Sequence, residues 1–600
     1  MNLSDLRDAA LAAALALTAC PFNVTTAQTD DRWTAPPLVV TAGRNAQPQD
    51  RVPASITVLT REDIALSAAP DLLELLRLEA GIDIARAGGP GAQTSVFLRG
   101  SNSNHVLVLI DGVRVAASGT GAFAWELLDP ALIERIEIVR GPRAARWGSD
   151  AIGGVIQIFT RRGHGAAVAL RAGSDQDLHA SAGLGSEALG VQLAARRVAG
   201  DSAQNPNGFA YDPDKDGFRN VGAAAGGTAR IAGGELDWHG RIADGRNEFD
   251  QGESEFTNAS LRVEFRRALG ELEWQIGAGL LDDRLETESA FGTSLAKTRR
   301  WQAEMLLQRR RGEQPGWLIG VDAWREDGES RDQWDQRRDN VALFAGIEGG
   351  FGRLDYELAL RADDDDNFGV EPSGNLGLNW RLSPAFRAYA GVGRAFRAPS
   401  FSQLYSPGFG GLFAGNPDLE PERAWSSELG LEWSPGPAQQ LSLNLFRTRI
   451  EDLIDFSGPD FGAINIARAA IDGLELTHRY AHRGWHSRLN LTWQDAEDRD
   501  TGADLLRRPD FKGNWVLERR FGQRLRLAGE LVHVGQRSDV GGVSLDDYTL
   551  INLRVRWQLS DAQRLELRVE NLANREVEPL FGFNGPDRRI QLGWVWHIAD

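Results

Sequence analysis

From about Gly163 to Asp600, apolar and polar residues alternate in long runs separated by turn residues. In Ile551 to Leu559 every odd position (Ile551, Leu553, Val555, Trp557, Leu559) is apolar and every even one is polar. Leu565 to Glu570 repeats the pattern, and the last segment puts Ile590, Leu592, Trp594, Trp596 and Ile598 on one face. Successive side chains of a strand point to opposite faces, so each run predicts a two-faced β-strand. A soluble antiparallel sandwich would alternate as well. So long a region without helices, ending on an aromatic-rich strand, predicts a transmembrane barrel instead. At roughly 20 residues per strand with its share of connections, residues 163–600 supply about 22 antiparallel strands, enough to enclose a folded domain.

Residues 52–162 read differently, as a compact α+β unit. Ile56 to Leu59 is a short strand, Thr60 to Arg77 supports helices, and Gly81 to Ile84 is a second strand. Val96 to Gly100 and Val106 to Gly112 are buried strands that end in turn residues; Ile133 to Val139 and Gly153 to Phe159 complete the unit. The expected fold class is therefore an all-β transmembrane barrel with an N-terminal α+β plug domain in its lumen.

Residues 28–51 are polar and punctuated by proline, a flexible arm with one β-prone island, Leu38-Val39-Val40-Thr41. That island reads either as a first strand of the next domain or as a peptide that a partner captures by strand addition. Residues 1–27 form an export leader, with an apolar stretch from Ala9 to Ala19 and a small-residue cleavage site ending at Ala27. Leu17-Thr18-Ala19-Cys20 offers a competing lipoprotein site, so both processing routes stay open.

Composition narrows the picture. Hydrophobic residues make up 42% and charged residues 25% of 600, and no long apolar run follows the leader, which excludes ordinary spanning helices. Strands that alternate outward and inward keep the average hydropathy low. The 67 glycines and 18 tryptophans suit many tight turns and two interfacial girdles. A formal net charge of −18 argues against nucleic acid. The single cysteine leaves no disulfide or thiolate metal site, and the histidines sit at no catalytic spacing, so no enzyme is expected. His105, flanked by strand, reads as a structural histidine.

The arm, the unit that follows and the barrel carry strings that resemble the TonB-dependent outer-membrane receptors, and among them the cobalamin (vitamin B12) receptors. Pro36 to Gly43 (PPLVVTAG) looks like the segment that binds TonB. Gly81 to Val115 (GIDIARAGGPGAQTSVFLRGSNSNHVLVLIDGVRV) and Arg135 to Thr160 (RIEIVRGPRAARWGSDAIGGVIQIFT) are similar to the family's plug. Phe396-Arg397-Ala398-Pro399, Asn416 to Glu422 and Val569 to Leu572 resemble its barrel signatures. The chain departs from the family's pattern at its end, where Trp596 is followed by four further residues.

The resemblance implies TonB-coupled import of cobalamin through the outer membrane of a Gram-negative bacterium, by a monomer set among phospholipid and lipopolysaccharide. A ferric siderophore is the alternative substrate; a passive porin or surface-interaction barrel is the alternative of another class. The TonB box would be Pro37, Leu38, Val39, Val40, Thr41 and Ala42. Substrate contacts would come from Gln93, Ser95, Asn102, Thr120, Gly121, Ser294 and Arg507. Hydroxyls and side-chain amides suit a neutral, amide-rich macrocycle. The resemblance also implies calcium as a loop-ordering ion, held by Asp201, Asp212, Asp214, Asp216, Asp250 and Glu253. Alternate aspartates before a glycine suit a hard cation that gathers oxygen ligands. Arg99 and Arg140 of the plug are expected to pair with Glu422 and Glu428 of the wall.

Overall fold

The computed structural model describes residues 39–40, 44 and 47–598, except 117–120, 122, 164, 187, 202–210, 212–213, 291, 312–313, 409–413 and 458–461. Among them, 22 antiparallel strands form a closed barrel. The first, Gly165–Gly173, pairs with the last, Arg589–Ile598, from Ala166 opposite Ile598 to Gly173 opposite Gln591. Closure is what the bilayer demands, because an open edge would leave backbone groups unpaired in hydrocarbon at several kcal/mol each. No helix among the described residues is long and apolar enough to cross a membrane.

The alternation read from the sequence becomes an inside and an outside. On the outer face Leu343, Leu360 and Ile319 stay 63%, 59% and 58% exposed, ready for lipid. On the lumen face Glu357, Asn379 and Glu530 are buried, and Glu357 accepts from Arg143 of the plug. Ile551 and Trp557 face outward while Asn552 and Arg554 between them are buried, as the pattern of that segment predicts. The displaced C-terminal aromatic is accommodated: Trp596 lies opposite Val168 of the first strand and Gln563 of the neighbouring one, and stacks on Trp594.

The plug fills the lumen. Its five-stranded sheet runs in the order Ile56–Leu59, Ile133–Arg140, Gly154–Thr160, Val106–Ile110, Val113–Arg114. Only Val106–Ile110 and Gly154–Thr160 are parallel neighbours in this sheet. Thr60 caps the helix Arg61–Ser67 through a reciprocal bond with Asp63, and Asp71 caps Leu72–Leu76. The second helix drives Leu72, Leu73, Leu75 and Leu76 into one apolar core with Ile136, Ile138, Ile156 and Ile158 of the sheet. The barrel region is not wholly free of helix. Phe401–Tyr405 forms a short one, started by Ser400, whose hydroxyl accepts from the Gln403 amide. Five residues are too few for a helical period to stand out among strands.

Candidate functional site

At the plug apex a hairpin pairs Ile82–Arg86 with Thr94–Leu98 and leads into the loop 99–105. Arg99 and Gly100 both take positive φ, 51° and 71°, which turns the chain sharply beneath the wall. A Cβ on Gly100 would lie 3.1 Å from the Ile471 side chain, so the loop is pressed against the barrel. Gln93 is exposed and Ser95 half-buried on this hairpin, and Asn102 is half-buried at the loop. Gly121, with φ +70°, faces the Arg397 guanidinium from the second apical segment, while Thr120 lies outside the described residues.

The expected wall contacts divide. Ser294 is exposed at the far end of strand Gly292–Arg309, opposite Thr287. Arg507 takes positive φ and donates Nε to Asp539 at 2.8 Å, so its head is engaged within the wall loops. Its neighbour Arg508 is the arginine that reaches the plug. Arg508 donates to the Gly100 carbonyl at 3.1 Å and to the Asn102 side-chain oxygen, and lies 4.2 Å over the Phe97 ring. Below it, Asp83 accepts from Gln494 at 2.8 Å and lies 3.8 Å from Lys512; burial pushes its carboxyl up.

Of the acidic residues expected to hold calcium, Asp212 lies outside the described residues, as does the side chain of Asp201. Asp201 and Asp216 are register partners where two strands leave the barrel, and Asp250 sits at the tip of the next hairpin. Asp214 is exposed, Asp216 and Asp250 are half-buried, and Glu253 ion-pairs with Arg246. Among the described residues no group of three or more potential ligands is brought together. A cage here would need the segment around Asp212 and release of Glu253 from Arg246.

The arm is tied down. Val39 and Val40 pair with Pro48 and Gln47 as a two-stranded ribbon; Pro37, Leu38, Thr41 and Ala42 lie outside the described residues. Just beyond, Arg44 enters the lumen. It donates to the Arg146 carbonyl at 2.6 Å and to Glu304 at 2.8 Å, with its ring neighbours Trp147 and Phe344 at 4.7 and 4.5 Å.

The plug-to-wall ion pairs differ in part from expectation. Arg99 does pair with Glu428, at 3.1 Å, but its bidentate partner is Glu475, at 2.7 and 3.0 Å. Arg140 approaches Glu475 at 3.5 Å, not Glu422 or Glu428, and otherwise serves the Ala80 carbonyl and Thr57 hydroxyl inside the plug. Glu422 instead takes Arg397 at 2.5 Å and His105 Nε2 at 3.1 Å, and accepts the Ile454 amide. His105 is fully buried and partnered, as a structural histidine should be. Arg143 adds a pair to Glu357 at 2.9 Å. Nothing in the period-two pattern points to Glu475 or Glu357, since a lumen-facing acid looks alike wherever it sits.

Comparison with known proteins agrees with this architecture. A family model described as TonB-dependent Receptor Plug Domain matches residues 48–155, and one described as TonB dependent receptor-like, beta-barrel matches residues 172–572. The chain is 29% identical over 618 residues to the Vitamin B12 transporter BtuB of Vibrio vulnificus, covering 96% of each. It is also 29% identical to the protein of the same name from Photobacterium profundum, over 96% of this chain and 98% of the relative. Among solved structures, the ferric enterobactin receptor of Pseudomonas aeruginosa superposes with TM-score 0.80 at 19% identity, covering 93% of this chain and all of that one. The siderophore receptor PirA of Acinetobacter baumannii gives 0.76 at 17%, covering 90% and 98%. A closed 22-strand barrel around a plug, matched by both family models, places this chain among the TonB-dependent receptors of the outer membrane.

Proposed function

We propose that this receptor imports cobalamin, drawing energy through TonB. The observation that carries the reading is the match along nearly the whole chain to proteins named as vitamin B12 transporters. The apex supports it: Gln93, Ser95 and Asn102 offer neutral amide and hydroxyl groups that can both donate and accept. The structural likeness to siderophore receptors, at under 20% identity, bears on the fold alone. A ferric siderophore is nevertheless the second reading, because extracellular loops set specificity and the fold does not.

In the mechanism that follows, substrate settles on the apex beneath the extracellular loops. The Leu38 to Ala42 segment then pairs with TonB as an added strand, and force on the arm rearranges the plug. Calcium held by Asp201, Asp212, Asp214, Asp216 and Asp250 would order the loops above the apex, its charge offsetting their mutual repulsion. The receptor works as a monomer, with lipopolysaccharide around its outer end. Equilibrium titration of the purified chain with cyanocobalamin and with ferric enterobactin tests the substrate. Saturable binding of cyanocobalamin alone is expected; binding of ferric enterobactin alone overturns the reading.

A further inference from the structure

The plug is not held evenly around its circumference. The buried polar ties that hold the plug and its arm to the wall concentrate on one side, where Arg44 of the arm meets Asp322, Arg143 meets Glu357, the His105 ring meets Glu422, and Arg99 meets Glu428 and Glu475. Parting an arginine pair among these withdraws a buried guanidinium from its carboxylate. Where the first and last barrel strands meet, the attachment is mostly of another kind. Arg196, Arg554, Arg556 and Arg568 of the wall donate to the plug carbonyls of Pro70, Leu66, Ala65 and Ser67. A carbonyl released from such a bond can turn to water, so this side parts more readily. The close side-chain contact between plug and wall here is the hydrogen bond of His179 Nε2 with Asp129 Oδ2 at 2.8 Å; Arg196 lies only loosely on Asp71, at 4.0 Å.

The same side holds two cavities between plug and wall. The upper, of about 80 Å³, lies under the loop that carries Asn584 and Pro586 and reaches Arg196 and Asp71. The lower, of about 290 Å³, extends from Arg171 to His597, near the end of the last strand. Small residues make room for it: Ala167, Ala169, Ser181 and Gly183 on the wall face Ala68 and Ala131 on the plug. Between the two cavities stands a thin layer in which Arg171 meets Glu566 and His179 meets Asp129. On the anchored side, by contrast, the space beside Arg99 and Ser426 amounts to about 10 Å³.

We infer that substrate passes along this seam: the plug swings on its ion-paired side, the Asp129–His179 contact parts, and the two cavities join into the passage. The inference rests on the import reading above, and the experiment separates the two. Ser181→Cys and Ala169→Cys place a thiol in the lower cavity, and Ser426→Cys places one on the anchored side. Cells bearing each variant are treated from outside with a maleimide too bulky for porins, with cyanocobalamin present, and with the proton-motive force intact or collapsed. Wild-type uptake of labelled cyanocobalamin is followed alongside. The seam thiols are expected to label several-fold faster in energised cells, and Ser426→Cys slowly in both. Asp129→Asn in the Ser181→Cys background should raise the unenergised rate toward the energised one. Equal acceleration at Ser426→Cys would mean that the plug leaves as a body and would overturn the inference. So would labelling confined to Ser426→Cys, or no acceleration at any site while wild-type cells import. Wild-type cells that import no cyanocobalamin refute the substrate alone, and the labelling is then read with ferric enterobactin. Import of neither overturns both.

Discussion

Arg44 donates Nη2 to Asp322 Oδ2 at 2.6 Å, tying the arm, four residues after the strand Val39–Val40, to the barrel wall. The pair does not stand alone. Asp322 also holds Arg361, and Glu304, the second acid on Arg44, also holds Arg262. Arg44→Ala therefore leaves neither acid without a cation, and the loss should stay near that of a charged hydrogen bond, about 2 kcal/mol. The expected result is a freed arm on an intact barrel. A spin label at Val40→Cys should become mobile in the Arg44→Ala background without substrate; an unchanged spectrum would show that the arm is held elsewhere.

Val40→Pro should abolish uptake and spare binding. Proline removes a backbone donor and restricts φ, so the segment can no longer complete a ladder with a captured strand. Because Val40 lies opposite Gln47 in a two-stranded ribbon separate from the barrel sheet, the fold should be untouched. Surface binding and uptake measured on the same cells check this, and uptake at the wild-type rate would remove TonB coupling from this segment.

Glu475→Gln tests the anchored side of the plug. Its carboxylate takes two bonds from Arg99 and lies 3.5 Å from Arg140, with all three side chains buried. Glu428 remains on Arg99, so the loss should be about 3 kcal/mol, at the lower end for a broken buried pair. Urea unfolding of the plug, read as the difference in tryptophan fluorescence between each protein and its Trp125→Phe control, gives the shift. Trp125 is buried in the plug core, whereas the outward tryptophans respond to detergent.

Plug stability should also fall as pH rises through neutrality. Burial pushes the Glu126 carboxyl up to about 8, with one oxygen enclosed and without a hydrogen-bond partner among the described residues. In the unfolded chain it ionises near 4.5. Between those values the folded state binds the extra proton, so stability decreases with pH across the window and levels off above it. Glu126→Gln should flatten that part of the profile. Melting temperatures of both proteins from pH 5 to about 9 check this, and parallel profiles would mean that the site is wet.

Calcium should tighten substrate binding. Asp214→Ala with Asp216→Ala is expected to weaken it and to abolish the calcium effect while leaving the barrel folded, because both residues lie at or beyond the strand end. The coupling follows if the ion orders loops before substrate arrives. Titration with calcium and with chelator on both proteins reads it. Equal wild-type affinity in the two buffers would reduce the acidic segment to solvated surface.

Local pattern alone determined much of this receptor. Period-two alternation such as that of Ile551 to Leu559 specifies a strand with a lipid side and a lumen side, because the bilayer tolerates only one of them. Thr60 and Asp71 mark helix starts because their side chains satisfy amides within three residues. The plug and its place before the barrel were legible for the same reason. Partnership across the lumen was not. Arg99 finds Glu475, 376 residues away, only when the barrel has closed and its register is set. Arg507 is the arginine expected from sequence at the substrate, yet its positive φ turns it to Asp539, and its neighbour Arg508 is the one that lies on the plug. The seam with its two cavities is likewise a tertiary fact. Small residues along Gly165–Gly173 and Leu178–Gly185 become empty space only because the plug opposite them is small as well. Side-chain pattern decides which face a residue occupies; what it meets there is decided by the packing of segments that the chain separates by hundreds of residues.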